Sequence, residues 1–325
     1  VKILVLEHKT TSEDISLGSI YWRKLVLDAQ ISNYMVGARA LGFEPDGVYY
    51  DALRKPATDP YVATPLEKRQ YTKPTAKDPV SRLYANQRDR DETPEEYRDR
   101  LLALIAEKPE HYYQRGIVVR LEEEERDAAF DVWQTAEQIR LSRRYERWPR
   151  NVDACSQYNR MCDYWEVCSG QASIDDPLRY EVTVAHPELE DAKHHLPLLT
   201  TSSARTYRAC ARKYLFAYEQ GIRPRARAQA LHFGTMVHKG LETWLRSGLD
   251  LGAALASMRG ETYDHEAAKA EAMLRGYDAR WRNEPLEVVL VEKEFTTALI
   301  NPETGAPSRT FARAGKLDAL VRRHD

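Results

Sequence analysis

The stretch ILVLEHKTT, residues 3–11, sets four apolar residues ahead of Glu7, His8, Lys9 and a pair of threonines. The apolar run predicts a buried strand over 3–7 that ends at the polar EHKTT turn. Glu7 and Lys9 lie two residues apart and so point to one face of a strand. Alone, such a couple is the pattern of a salt-bridged surface pair and decides nothing. Far along the chain, GKLDALVRR (315–323) puts Asp318 in a strand otherwise made of Ala, Leu and Val. A carboxylate there is expensive unless it binds something, although the exposed face of an edge strand would also accept it.

The chain has 325 residues, 42 % apolar and 30 % charged, which suits a globular protein of about two domains. No apolar run approaches the roughly 18–20 residues that cross a bilayer, and the N-terminal stretch lacks a signal-peptide pattern. A reducing cytoplasm, bacterial or phage-infected, is the expected compartment, with no membrane partner. The net charge of −2 hides a basic segment: Arg205 to Arg227 holds six arginines and one lysine against the single acid Glu219. Such a segment is either a solvated helical face or a footprint for phosphates. Four cysteines are present, three of them in CSQYNRMCDYWEVC (Cys155, Cys162, Cys168) and one, Cys210, in YRACARKY. In an intracellular chain this clustering reads as metal ligands before disulfides, and polar neighbours weaken the alternative of buried small hydrophobes.

Periodicity places helices at 19–42, ending at Gly42, and at 93–105, where Thr93 and Glu96 form a capping box with Pro94 at the first helical position. Further helices are expected over 122–145, over SSARTYRACARKYLFAYEQG with Ser202 or Ser203 as cap, over FGTMVHKGLETWLRSG, and over 261–283. GVYYDAL, YYQRGIVVRL, LEVVLVEKEFTT and TFARAGKLDALVRR read as strands. The divisions that follow are 1–55, a mainly helical insertion at 56–150, a cysteine segment at 151–170, a connection at 171–200, and 201–325.

Two further patterns join the carboxylates. FGTMVHKGLE puts His238 and Glu242 four apart on a helix face, with Gly234 allowing close backbone approach. AQISNY puts Gln30 and Tyr34 four apart on the helix after the Glu-x-Lys strand. A lone helical histidine is usually structural, and Q-x3-Y alone carries almost nothing. Together with Asp318, Glu7 and Lys9 they are specific. The chain resembles the RecB-type PD-(D/E)XK nucleases, in particular the iron–sulfur branch that includes the AddB nuclease domain, CRISPR adaptation nucleases and phage exonucleases. The resemblance covers 1–55, 151–168 and 200–325, in swapped order: Glu-x-Lys comes first and the Asp last, as in a circular permutation. It implies that GKLDALVRRHD and VKILVLEHKTT form two antiparallel strands that bring Asp318 to Glu7 and Lys9, with Val1 beside Asp325. A single set of motifs suits that order.

The resemblance implies an α/β, restriction-endonuclease-like core, a central mixed sheet flanked by helices, with an α-rich insertion. It implies His238, Asp318 and Glu7 as ligands of Mg²⁺ or Mn²⁺, Lys9 as the motif lysine, and Gln30 and Tyr34 as the Q-x3-Y pair. It implies that Cys155, Cys162, Cys168 and Cys210 hold a 4Fe–4S cluster, zinc being the runner-up; the C-x6-C spacing departs from the C-x2-C of several branches. DNA is the implied partner, with Arg205, Arg208, Arg212 and Lys213 contacting phosphates and a recombination or helicase protein alongside. The expected activity is phosphodiester hydrolysis, as an exonuclease in recombination, repair or phage DNA processing. The readings set against it are a non-catalytic DNA-binding subunit of the same fold and an enzyme acting on another phosphate ester.

Overall fold

The computed structural model describes residues 1–74, 80–157, 160–189, 194–225, 229–260 and 262–324, with backbone alone over 229–231. In chain order the elements are β1 (Lys2–Thr11), α1 (Ile20–Leu25), α2 (Ala29–Ala40), β2 (Gly47–Arg54), α3 (Pro94–Glu107), β3 (Tyr113–Val118) and α4 (Glu122–Tyr145). The cysteine region follows, with β4 (Ser156–Gln157), β5 (Arg160–Met161), α5 (Trp165–Cys168), β6 (Tyr180–Val182) and β7 (Leu198–Leu199). The remainder comprises α6 (Thr201–Ala209), α7 (Ala211–Tyr214), β8 (Ile222–Pro224), α8 (Gln229–Arg246), α9 (Leu251–Met258), α10 (His265–Trp281), β9 (Leu286–Ile300) and β10 (Pro307–Arg323).

A mixed sheet runs β3-β2-β1-β10-β7, with β9 also paired to β10. The β1 strand pairs antiparallel with β10, from Lys2↔Arg323 to Leu6↔Ala319, and parallel with β2 from Leu4↔Gly47 to Thr11↔Arg54. The expected strand pair is therefore present; Asp325 itself lies outside the described residues. Since β9 flanks β10 from end to end, β1 and β7 share its other edge, β7 at Ala312 and Arg313. Between them residues 314–318 of β10 face neither strand. That gap is where the candidate functional side chains gather.

Helices cover both faces of the sheet. Leu4, Leu6, Leu53, Ala319 and Val321 pack against Val237 and Leu241 of α8, Tyr277 of α10 and Leu101 and Ile105 of α3. Val5, Val48, Ala52, Leu317 and Leu320 pack against Ile31, Tyr34 and Ala38 of α2. Leu4 and Leu6 are fully buried; each such side chain contributes about 1.5–3 kcal/mol of hydrophobic stabilisation. The result is the expected α/β architecture, a central mixed sheet flanked by helices. No helix among the described residues is long and apolar enough to cross a membrane.

Several elements depart from the sequence reading. The β1 strand does not stop at Glu7; residues 8–11 continue it, because each pairs with β2. The 19–42 helix breaks at 26–28, where the Asp28 side chain accepts the Gln30 N–H at 2.8 Å and caps α2. The break puts Gln30 in the first turn of α2. The cap of α6 is Thr200, not Ser202 or Ser203; its hydroxyl accepts the Ser203 N–H at 3.1 Å. That helix ends at Cys210, which is extended, before α7 resumes. An additional helix, α9, precedes α10. The 56–150 stretch contributes to the common core, since β3 pairs with β2 and α3 packs on α10. The 171–200 connection also supplies β7 to the main sheet.

Candidate active site

The β1–β10 ladder ends at Leu6↔Ala319, one residue before Glu7 and Asp318. Beyond it the His8 backbone N–H donates to Asp318 Oδ2 at 2.9 Å, so the carboxylate replaces the missing ladder acceptor. Glu7 is buried beside it. Gln30 Nε2 donates to Glu7 Oε1 at 3.1 Å and also contacts the Tyr34 hydroxyl. Lys9 Nζ stands 4.0 Å from the same Glu7 oxygen. Glu7 Oε2 is buried with no partner among the described residues. Burial, and then the neighbouring Asp318, push the Glu7 carboxyl well above the ordinary carboxylate range; Lys9 and Tyr34 pull the other way.

From the opposite side, α8 brings His238, whose Nδ1 lies 3.7 Å from Asp318 Oδ2. Burial lowers its pKa and Asp318 opposes that shift. A cavity of about 680 Å³ opens here, lined by Lys9, Thr10, Gly234, His238, Glu242 and Asp318 among others. Gly234 does not serve the close approach expected of it. A Cβ at that position would meet only Thr10 Oγ1, at an ordinary 3.5 Å. Glu242 reaches the cavity wall, with Oε1 accepting from Arg246 at 2.9 Å.

Sequence reasoning passed over the polar network behind the site. His8, between the two motif residues, points to the face opposite Glu7 and donates from Nδ1 to Asp51 Oδ2 at 2.9 Å. That oxygen also accepts from Arg115 at 3.1 Å and from the Tyr277 hydroxyl at 2.5 Å. Burial pushes the Asp51 carboxyl up, but the charged Arg115 and the His8 hydrogen bond overcome it and hold the carboxyl down at about 2. The signal was an acid inside the apolar strand GVYYDAL. Also missed was Glu292 on β9, opposite Asp318, which has a φ of 50° and pairs with Lys316 at 2.5 Å in the same cavity.

The basic residues divide. Arg205 and Arg208 are exposed, and Arg205 pairs with the α2 cap Asp28 at 3.2 Å. Arg212 is half-buried and donates to the Trp148 carbonyl at 3.1 Å, while Lys213 is half-buried near Cys162. The four cysteines are free thiols. Hydrogen bonds to backbone carbonyls draw their segments together: the Cys162 N–H to Cys155 at 2.7 Å, the Arg150 guanidinium to Cys168 at 3.0 Å, and the Asn151 side-chain amide to Ala209 at 2.9 Å. Burial raises the thiols of Cys162 and Cys168, with Cys210 adding to both.

Among the described residues, no group of three or more His, Cys, Asp and Glu side chains is arranged to hold a metal ion. Within the β1–β10 gap, the unpartnered buried oxygen of Glu7 beside Asp318 nevertheless fits a hard divalent cation, because carboxylate oxygen is its preferred donor. The thiols have no comparable arrangement as placed.

The PD-(D/E)XK nuclease superfamily model matches residues 198–320. That span runs from β7 into β10 and carries His238 and Asp318, but not Glu7, Lys9, Gln30 or Tyr34. No curated protein and no solved structure matches the chain.

Proposed function

We propose that this protein is a metal-dependent DNA nuclease that hydrolyses phosphodiester bonds at the gap between β1 and β10. The observation that carries the reading is Glu7: a buried carboxylate with one unpartnered oxygen, set against Asp318 and within 4.0 Å of the Lys9 ammonium. Two carboxylates in that position repel unless a cation is shared between them. Glu7 and Asp318, with His238 beside them, are the residues to hold Mg²⁺ or Mn²⁺. When bound, such an ion activates water and offsets charge on the phosphate.

The chain's own residues supply the remaining work. Lys9, 42 % exposed, reaches the cavity and orients the attacking water or contacts the phosphate. Gln30 fixes Glu7 Oε1 and, with Tyr34, sets the position of the carboxylate relative to the strand that binds. Burial of Tyr34 keeps its hydroxyl protonated and available as a donor. Arg205 and Arg208 add exposed phosphate contacts. Exonuclease action, a permuted order of the family's motifs, and service in recombination, repair or phage DNA processing beside a helicase or recombination protein belong to the same reading. So does a 4Fe–4S cluster on Cys155, Cys162, Cys168 and Cys210, or zinc in its place. The proximity of the cysteine segments to α6 supports a bracing role for it.

The deciding experiment incubates end-labelled single- and double-stranded DNA with the protein and Mg²⁺ or Mn²⁺. Shortened products that vanish with chelator support the reading, and their lengths separate exo- from endonuclease action. Tight DNA binding without cleavage would favour the non-catalytic subunit instead. Anaerobically purified protein is expected to be brown, with broad absorbance near about 400 nm for a cluster, whereas a zinc site would be colourless.

A further inference from the structure

The cavity that Lys9, His238 and Asp318 line does not end at the Asp318 carboxylate. Lys55, immediately after β2, lines it and also lines a second cavity of about 390 Å³ that includes Ser12, Phe233, Glu266 and Lys269. A ligand extending from one cavity into the next must pass this ammonium group. The Lys55 backbone is fixed by its N–H to the Thr11 carbonyl at 2.7 Å, and its Nζ lies 4.9 Å from the centre of the Phe233 ring. Among the described residues no carboxylate pairs with it. Lys269 is placed in the same way, 5.9 Å from the centre of the Tyr97 ring. Two half-buried cations, each over an aromatic ring, thus border one cavity together with Glu266. Burial disfavours the charge on Lys55, Glu266 opposes that shift, and Lys269 adds a smaller repulsion. An anion entering the cavity relieves both effects.

We propose that Lys55, backed by Lys269, is a phosphate subsite that grips the substrate strand one or two linkages beyond the phosphate held at Glu7 and Asp318. The assignment rests on the nuclease reading and deepens it: the ligand is a polynucleotide rather than a small phosphate ester, since only a ligand with successive phosphates fills both cavities. Lys55 is then a positioning residue that sets which linkage reaches the carboxylates.

The test uses end-labelled oligonucleotides, each carrying one uncharged methylphosphonate at a successive position, cleaved by the wild type, Lys55→Met and Lys55→Arg. Met keeps the stem on Phe233 and removes only the charge. In the wild type, neutralising one particular linkage near the cut is expected to raise KM about tenfold, the scale of one charged hydrogen bond. Lys55→Met is expected to show the raised KM on the unmodified strand and indifference to that linkage, with Lys55→Arg restoring the dependence. A Lys55→Met protein that cleaves with the wild-type interference profile overturns the subsite and leaves the nuclease reading intact. A wild type that cuts none of the substrates overturns that reading and the subsite with it.

Discussion

On one face of β1 the Glu7 carboxylate is buried beside Asp318, with the half-exposed Lys9 4.0 Å away and one oxygen unpartnered. On the other face, His8 leads to Asp51, whose Oδ2 accepts from His8, Arg115 and Tyr277 at once. Both acids are removed from water. One is pushed above its ordinary range and the other held down at about 2, and the difference lies in the partners. Arg115 is itself buried against Asp51, so its charge acts through little solvent. Lys9 is half-exposed, and the charged neighbour that acts most strongly on Glu7 is another acid, Asp318. Each acid keeps one buried oxygen without a partner among the described residues, so what separates them is the charge beside them: Asp51 faces a guanidinium, and Glu7, in the reactive centre we propose, faces a second acid.

The largest effect expected from this contrast is catalytic. Glu7→Gln should lower metal-dependent DNA cleavage by roughly 10²–10⁴-fold, the span seen when one acid–base or electrostatic group is removed. Its melting temperature should hold or rise, because a buried carboxylate facing another acid is gone. Rate assays and thermal melts on the same preparation separate the two outcomes. A variant that melts far earlier than the wild type would place Glu7 among the structural acids.

Asp51→Ala should do the reverse. Removing it leaves the Arg115 guanidinium buried with Glu284 as its remaining acid, and breaking such a pair costs roughly 3–5 kcal/mol. Urea unfolding measures that loss. The pH dependence has a fixed sign. The Asp51 carboxyl is held at about 2 against an ordinary 3.8, so its stabilisation is fully present above the ordinary value and is lost as pH falls through the folded one. The stability gap between the wild type and Asp51→Asn should thus narrow between those two values, and a gap that stays constant there would contradict the network.

The side chains that meet on the proposed reactive face were nominated from the sequence, and those of the anchoring face were not. Glu7, Lys9, Gln30, Tyr34, His238 and Asp318 are spaced at strand and helix periods, so local patterning suffices to nominate them. Their meeting depends on a pairing between strands more than 300 residues apart, which became readable only through the expectation of a swapped motif order. The Asp51 network gathers residues from β2, β3 and α10 with no shared local pattern. Boundaries failed where a side chain or a neighbouring strand overrode periodicity, as at the Asp28 cap and the β2-paired end of β1. The joining of 56–150 to the core was hidden for the same reason: β3 reads as any short strand until β2 is beside it.

The fit of α2 against the sheet sharpens the comparison at a smaller scale. Gly315 lies in the gap of β10, and a Cβ there would fall 2.8 Å from the Phe295 ring and 2.9 Å from Asn33 Nδ2. Asn33 also accepts from the buried Arg313 at 2.6 Å, so it has little room to give. Gly315→Ala should cost roughly 1–3 kcal/mol through overpacking. It should also reduce cleavage, since α2 carries Gln30 and Tyr34. Unchanged urea midpoint and rate would mean that α2 shifts freely, and that Gln30 does not fix Glu7.

The smallest effects separate the basic residues of the 205–213 segment. Arg205 is exposed and its acid partner Asp28 is at the surface of α2, so a phosphate can take it over with little rearrangement. Arg212 donates to the Trp148 carbonyl and holds the chain beside the α6–α7 break. Arg205→Ala should weaken DNA binding and reduce the slope of log K against log salt by about 1, as the loss of one phosphate contact dictates. Arg212→Ala should leave that slope unchanged and cost about 1 kcal/mol of stability from the lost hydrogen bond. Binding titrations at a series of salt concentrations, paired with urea melts, distinguish the two. Equal slopes in both variants would mean that Arg205 does not touch the backbone of the bound strand, and that the charge concentrated in this segment serves the fold alone.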